Sequence, residues 1–200
     1  MPQPIRNKSC HIELVGLGDL PEHAALLGQI VAVSGALEAR LGWLLAFLSG
    51  ASATVAIPMF HAVASTEAQR GMLLAAAEQT LAGAELDEFR DLMADFKTRY
   101  GERNRLVHNL WGRSNDHPDK AVWAASKDIA LGMPPIASAM KSGDFGSVAK
   151  AEMERLPLKC SLYSVKDLEQ SLQRIVALRD RVNAFLAKLR SSNSENSSVI

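Results

Sequence analysis

Cysteine is scarce in this sequence, and no glycine-rich phosphate-binding loop is present. The 200 residues include two cysteines, Cys10 and Cys160, with no Cys-x-x-Cys pair and no Cys/His metal spacing. This pattern excludes the common zinc sites, and we expect neither a bound metal nor a cofactor. Two isolated thiols favour a reduced, cytoplasmic protein, although a disulfide between them stays open.

A net charge is also absent. Lys and Arg together number 22, and Asp and Glu together number 22. Proteins that bind duplex nucleic acid through counterion release usually carry a clear basic excess. If RNA is a partner of this chain, a local basic patch must hold it.

Charged residues are missing from one long stretch, 41–66. A run of this length raises the question of a membrane span. Its middle, 49–54, is small and polar, Pro58 and His61 interrupt its second half, and no cluster of Lys and Arg flanks it. We therefore expect a buried helix pair and no membrane partner. The polar N-terminus, 1–10, does not resemble a secretory signal.

Apolar residues recur elsewhere at three- and four-residue steps, which is typical of amphipathic helices. Capping patterns mark two of the helix starts, Asp19 with Glu22 and Ser164 with Asp167. The pattern predicts five helices: from near Asp19 to Ser49, over 52–64, over 66–82, from Glu85 to Leu110, and from Ser164 onward.

The segment 112–163 breaks the helical pattern with prolines and glycines. Two short runs within it, Ala121–Ala125 and Leu158–Tyr163, predict strands that pair as a small hairpin. The tail 191–200 is rich in Ser and Asn, and we expect it to be disordered. The predicted fold is an all-α helical bundle of about five helices, with a small irregular or β-hairpin insertion before the last helix, in one domain over 1–190.

The chemically informative segment lies at the end of the fourth predicted helix, between Glu102 and Trp111. Positions four apart share a helix face, so Asn104 and His108 are neighbours, and Arg103 is long enough to reach the same place. The set offers a guanidinium to clamp a phosphate, an amide to orient a group, and an imidazole that can accept and donate a proton. These groups suit RNA cleavage by the neighbouring 2′-hydroxyl, with proton transfer by His108 and charge stabilisation by Arg103.

The series Arg103-Asn104-x-x-x-His108 resembles the R-x(4–6)-H motif of the HEPN superfamily, in which a polar residue often follows the arginine. The helical context over 19–111 and 164–190 is also similar to that family. The resemblance implies a metal-independent endoribonuclease of a toxin–antitoxin, defence or RNA-processing system. It also implies a homodimer with a composite site and an antitoxin protein as a possible partner.

Two features depart from the family pattern. Asn109 stands where many relatives have glycine, and the insertion 112–163 is long. The alternative interpretation is a non-catalytic HEPN-like module that binds a nucleotide or a protein.

Three further residues are candidates for the substrate site, each with an ordinary alternative. Glu38 lies inside the apolar stripe of the first helix, where it could orient Arg103 or remain a surface carboxylate near Arg40. Arg105 is a candidate phosphate ligand or a solvated side chain. Trp111 is a candidate for base stacking or a packed residue.

Overall fold

The computed structural model describes residues 2–7, 10–130 and 155–197. The α-helices in these ranges are α1 Pro21–Ser49, α2 Ala53–Ala62, α3 Thr66–Thr80, α4 Gly83–Val107, α5 Ser126–Ala130 and α6 Val165–Ser197. The strands are β1 Gln3–Pro4, β2 Leu110–Gly112, β3 Ala121–Ala124 and β4 Cys160–Tyr163, and one 3-10 turn covers Pro157–Lys159. The predicted class, a mostly helical protein with a small strand insertion before its last helix, is confirmed.

The chain divides into two compact units, and the single domain over 1–190 stays a prediction. The sheet unit comprises Met1–Gln29 and Asn104–Ser171, and the helix unit comprises Ile30–Arg103 and Leu172–Ile200. The division falls inside α1, α4 and α6, so each of these helices contributes residues to both units.

The helix unit is a bundle whose apolar faces share one core. Phe89 of α4 and Phe185 of α6 lie with ring centroids 5.6 Å apart in that core. Fully burying one such side chain stabilises a fold by roughly 1.5–3 kcal/mol. Other buried members are Leu41, Leu44, Phe60, Leu73, Leu92, Phe96, Leu178 and Val182.

Acidic residues of α4 face basic residues of α6 at seven-residue intervals. The three ion pairs are Glu88–Lys188 at 2.9 Å, Asp95–Arg181 at 2.9 Å and Glu102–Arg174 at 2.8 Å. Residue numbers rise along α4 as they fall along α6, so the two helices are antiparallel. Seven residues make about two helical turns, which keeps all three pairs on one face. The pairs therefore help to set the register of the helix that carries the candidate site.

The sheet unit contains a four-stranded antiparallel sheet in the order β1-β4-β3-β2. The predicted pairing of 121–125 with 158–163 is confirmed, because Val122 stands opposite Leu162 in the β3–β4 register. The hairpin itself is formed by β2 and β3, which are consecutive in the chain, with Trp111 opposite Trp123. A small apolar cluster lies in this unit: Ile5, Cys10, Val122, Ala124, Cys160 and Leu162.

The N-terminal segment is held against the end of β2. Glu13 and Arg113 exchange two backbone hydrogen bonds of 3.0 and 2.9 Å, and the Arg113 guanidinium lies 2.8 Å from the Glu13 carboxylate. Gly112 permits this approach, because a Cβ at that position would overlap the Glu13 carbonyl oxygen. Glycine is therefore required at this point of the sheet.

Except at the end of α6, the helix boundaries follow the predictions to within three residues. The predicted cap at Ser164 is present, with Ser164 N donating to Asp167 Oδ2 at 3.0 Å and Asp167 N donating to Ser164 Oγ at 3.3 Å. The predicted capping role of Asp19 is wrong, because α1 begins at Pro21 and the Asp19 carboxylate instead pairs with Arg113.

Differences from prediction are concentrated at the ends of the chain and around β2. The segment before α1 shows no helix or strand pattern in its sequence, yet it contains β1 and a bridge from Glu13 to Arg113. Leu110 begins β2 and does not continue α4. Helix α6 extends to Ser197, whereas the composition predicted disorder from Ser191. The middle of the predicted insertion, 131–154, lies outside the described residues.

In the described part of the chain, α1 is the one helix that is long and apolar enough to cross a membrane by length and composition. In its most apolar 18-residue window, 44% of the residues are buried within the protein. The core helix of a soluble protein meets the same criteria.

Candidate functional site

The motif lies where α4 ends and the sheet begins. Arg103 and Asn104 occupy the last turns of α4, which ends at Val107, and His108 follows directly. The boundary between the helix unit and the sheet unit falls between Arg103 and Asn104. The sequence predicted that the helix would continue through His108 to Leu110. In the structure the chain leaves the helix at 108 and enters β2 at Leu110.

His108 retains the helical spacing to Asn104 although it lies beyond the helix. Its backbone N donates to the Asn104 carbonyl at 3.0 Å, so the predicted four-residue relation is present in the backbone. The His108 residue is exposed, and Asn104 is half-buried. An exposed imidazole on an ordered backbone can reach a ligand from solvent.

Side chains from the sheet region satisfy the carbonyl groups at the end of α4. Trp111 Nε1 donates to the Leu106 carbonyl at 2.8 Å, and Trp123 Nε1 donates to the Arg105 carbonyl at 3.0 Å. Asn109 Nδ2 also donates to the Arg105 carbonyl, at 2.7 Å. The last carbonyls of a helix have no intrahelical partner, and these three donors terminate α4 at a defined residue.

Ser126, the first residue of α5, is bonded to both residues that follow α4. Its backbone N donates to Asn109 Oδ1 at 2.9 Å, and its hydroxyl donates to the His108 carbonyl at 3.3 Å. The backbone at 108–109 is thereby tied to α4 on one side and to α5 on the other. Sequence reasoning missed Ser126 and the contact that Trp123 makes with the end of α4, because the partners of these residues are 17 and 18 residues away in the chain.

Arg103 belongs to the helix unit, where its guanidinium lies over the Tyr100 ring, 5.6 Å from the ring centroid. Tyr100 is buried and packs on Phe96 with a centroid distance of 4.7 Å. A guanidinium within about 6 Å of a ring centroid is attracted by the ring face. Tyr100 therefore helps to define the position of the half-buried Arg103 side chain.

Two acidic residues that precede Arg103 in α4, Asp95 and Glu102, contact other cations. Asp95 pairs with Arg99 at 3.0 Å and with Arg181. Glu102 pairs with Arg174 and lies 3.6 Å from Arg99. Both carboxylates are thus part of the ion-pair system between α4 and α6.

The other predicted substrate residues are placed as follows. Glu38 is half-buried in α1 and makes no hydrogen bond or ion pair with another described residue, so its proposed orienting role has no contact to support it. The Arg105 side chain is exposed, as a phosphate ligand requires. Trp111 is 9% exposed, and its ring packs edge-on against Tyr163 at 5.2 Å. This placement favours the packed alternative for Trp111 over base stacking.

Two hollows in the sheet unit bear on where a ligand can bind. One of about 430 Å³ borders Asn109 and Leu110 and is otherwise mostly apolar. The second, of about 420 Å³, is lined by the carboxylates Asp19, Glu22 and Asp119. Three carboxylates repel an RNA phosphate, so the second hollow is not a phosphate site.

The cysteines are buried thiols. Cys10 and Cys160 are both free, so the disulfide that the sequence left open is not formed. Burial raises the pKa of Cys160 to about 11 and also raises the pKa of Cys10, whose Sγ lies 3.2 Å from Ser114 Oγ. A buried thiol that stays protonated is a poor nucleophile and a poor metal ligand. Among the described residues no cluster of three or more His, Cys, Asp or Glu side chains could hold a metal ion.

Comparisons of the chain with protein-family models, with curated proteins and with solved structures find no match. The likeness to the HEPN superfamily therefore rests on the six-residue motif and its helical context, and membership of that family stays a prediction.

Proposed function

We propose that this protein is a metal-independent endoribonuclease in which His108 moves a proton while the 2′-hydroxyl of RNA attacks the adjacent phosphate. The observation that carries the proposal is the exposed His108, on a backbone bonded to α4 and α5, at the end of an Arg-x4-His motif.

The reaction needs few groups because the nucleophile belongs to the substrate. The 2′-oxygen loses its proton and bonds to phosphorus, and the 5′-oxygen of the next nucleotide leaves and takes up a proton. The products are a 2′,3′-cyclic phosphate and a 5′-hydroxyl. A positioned histidine contributes typically about 10²–10⁴-fold to such a reaction through proton transfer.

Arg103 and Asn104 have supporting roles in the proposal. The Arg103 guanidinium stabilises the charge that develops on the phosphoryl oxygens, and Tyr100 beneath it restricts its orientation. Asn104 orients Arg103, His108 or the scissile group through its amide. Arg105, which is exposed one position later, is available to a neighbouring phosphate.

Binding of RNA must come from such local groups, because the formal net charge is zero. A single small site of this kind binds RNA weakly, and we therefore propose that a homodimer is the active form. A cytoplasmic location and an antitoxin partner that restrains the enzyme complete the proposal.

A non-catalytic protein-binding module is the second candidate, and one observation favours it. In the helix unit, Trp43 is 42% exposed, Val55 is 52% exposed and Met59 is 57% exposed, all within the uncharged stretch 41–66. Large exposed apolar side chains are typical of interaction sites when they lie together. Such side chains suit a protein partner and are poorly suited to RNA.

The deciding experiment is cleavage of a mixed-sequence RNA pool in the presence of EDTA. The wild type is compared with His108→Ala and Arg103→Ala, and matched controls are His61→Ala, at an exposed histidine of α2, and Arg179→Ala, at an arginine paired with Asp180. We expect cleavage by the wild type and both controls, and a loss of about 10²-fold or more in each motif variant.

Either of two results would reject the assignment. If folded wild type at high concentration cleaves nothing, the binding module becomes the better interpretation. If His108→Ala cleaves as fast as the wild type, the histidine is not part of the chemistry.

A further inference from the structure

Asn109 is the residue at which the end of α4 and the start of α5 are joined. Its side-chain amide both donates and accepts a hydrogen bond. Nδ2 donates to the Arg105 carbonyl at 2.7 Å, and Oδ1 accepts from Ser126 N at 2.9 Å. We infer that Asn109 is a positioning residue that holds the backbone of His108 in place, an inference that rests on the ribonuclease function proposed above.

The exposure of His108 is the reason that such a support matters. A buried histidine is held by the side chains packed around it, but His108 is exposed and follows the last residue of α4. Its backbone is instead fixed by hydrogen bonds before and after it. His108 N bonds to the Asn104 carbonyl, and the His108 carbonyl accepts from the Ser126 hydroxyl at 3.3 Å.

The two hydrogen bonds of the Asn109 amide are not equally replaceable. The Arg105 carbonyl has a second donor in Trp123 Nε1, at 3.0 Å, and therefore remains satisfied when the Asn109 donor is lost. Among the described residues, Oδ1 of Asn109 is the acceptor for Ser126 N. The hydrogen bond from Ser126 N is thus the one for which Asn109 has no substitute among the described residues. This bond also attaches residues 108–109 to α5.

The side-chain requirement follows from this geometry. Aspartate keeps an oxygen for Ser126 N, but its second oxygen replaces the donor to Arg105 and must turn away from that carbonyl. Alanine loses both hydrogen bonds. Glycine loses both as well and also adds backbone freedom at this position. An asparagine immediately after the histidine is therefore a structural part of this site.

The test separates backbone order from activity. The backbone order parameter at His108 is measured by NMR relaxation in wild type, Asn109→Ala and Asn109→Asp. We expect about 0.85 in the wild type and the aspartate variant, and a fall toward about 0.6 in the alanine variant. The maximal single-turnover rate on an end-labelled RNA pool in EDTA should fall about 10- to 100-fold in Asn109→Ala, with the half-saturating protein concentration unchanged.

Two controls address the trivial explanations. Asn115→Ala makes the same substitution at an exposed asparagine in the turn after β2. Trp123→Phe removes the other donor to the Arg105 carbonyl and thus costs the end of α4 a hydrogen bond without touching Ser126. Asn115→Ala should keep the order parameter and the rate of the wild type, and Trp123→Phe should keep the order parameter at His108.

The outcomes distinguish this inference from the proposed function. An order parameter at His108 that is unchanged in Asn109→Ala overturns the inference, and so does an unchanged maximal rate in an active enzyme. If the alanine variant does not fold, an unchanged order parameter at His108 in Asn109→Gly, which also loses both contacts, overturns it. If the wild type cleaves no RNA, the proposed function fails, and the order parameters alone decide whether Asn109 holds this backbone.

Discussion

Replacing Gly112 by alanine should break the attachment of the N-terminal segment to β2. An added Cβ would overlap the Glu13 carbonyl oxygen and lie 2.7 Å from Leu14 Cα. Both atoms belong to backbone, so no side chain can rotate away to make room. We therefore expect the N-terminal segment to separate from the sheet in Gly112→Ala.

The magnitude follows from the hydrogen bonds that this separation removes. They are the two bonds between Glu13 and Arg113, at 3.0 and 2.9 Å, and the bond from Gly16 N to the Trp111 carbonyl, at 2.9 Å. At about 0.5–1.5 kcal/mol for each net hydrogen bond, the loss is about 1.5–4.5 kcal/mol. That is a large part of the 5–15 kcal/mol typical of a whole domain.

Urea unfolding of wild type and Gly112→Ala measures this loss, and hydrogen exchange of the Glu13, Gly16 and Arg113 amides reports it locally. The matched control is Gly71→Ala, because Gly71 lies in α3 with no atom within 4 Å of an added Cβ. Alanine there should raise the free energy of unfolding by about 0.5–1 kcal/mol. If Gly112→Ala is as stable as the wild type and keeps its amide protection, the reasoning about this contact is refuted.

Two further predictions concern the helix unit and the buried thiol. A double-mutant cycle with Asp95→Asn and Arg181→Met should give a coupling free energy of about 0.2–1 kcal/mol that decreases in 1 M salt; no coupling would mean that the pair does not stabilise the α4–α6 register. Burial raises the pKa of Cys160 from 9.0 to about 11 in the folded protein. The thiol therefore loses its proton at a lower pH in the unfolded chain than in the folded protein. The free energy of unfolding should thus fall as the pH rises from about 9 towards 11. Urea titrations across that range should show a smaller fall in Cys160→Ala, and an identical fall in both proteins would contradict the assignment.

Much of the helical part could be predicted from the sequence because helices depend on local signals. Periodic apolar residues predicted α1 to α4 and α6, and the Ser164–Asp167 pair predicted where α6 begins. The pairing of β3 with β4 was also predictable, because both runs are apolar and are bounded by turn residues.

The sheet partners β1 and β2 were not predictable in this way, because strand pairing is set by contacts far apart in the chain. Leu110 and Trp111 fit the apolar period of the preceding helix, so the local pattern extended α4 too far. What ends α4 is a set of donors from Asn109, Trp111 and Trp123. The donor Trp123 lies 18 residues beyond its acceptor, Arg105.

The candidate site also has one part that the local sequence predicts and one part that depends on contacts far apart in the chain. The spacing of Arg103, Asn104 and His108 can be seen in the sequence, whereas the support by Asn109 and Ser126 needs the positions of α4 and α5. The seven-residue spacing of the α4–α6 ion pairs is also present in the sequence, but it has meaning only once the two helices are known to be antiparallel.

The central claim, that His108 assists attack by a 2′-hydroxyl, is tested most directly by the ends of the fragments. A mixed RNA pool and the same pool fully 2′-O-methylated are incubated in EDTA with wild type and His108→Ala. The account predicts fragments with 2′,3′-cyclic phosphate and 5′-hydroxyl ends, from unmodified RNA only and with the wild type only. Cleavage of the methylated pool, or fragments with 5′-phosphate ends, would contradict it.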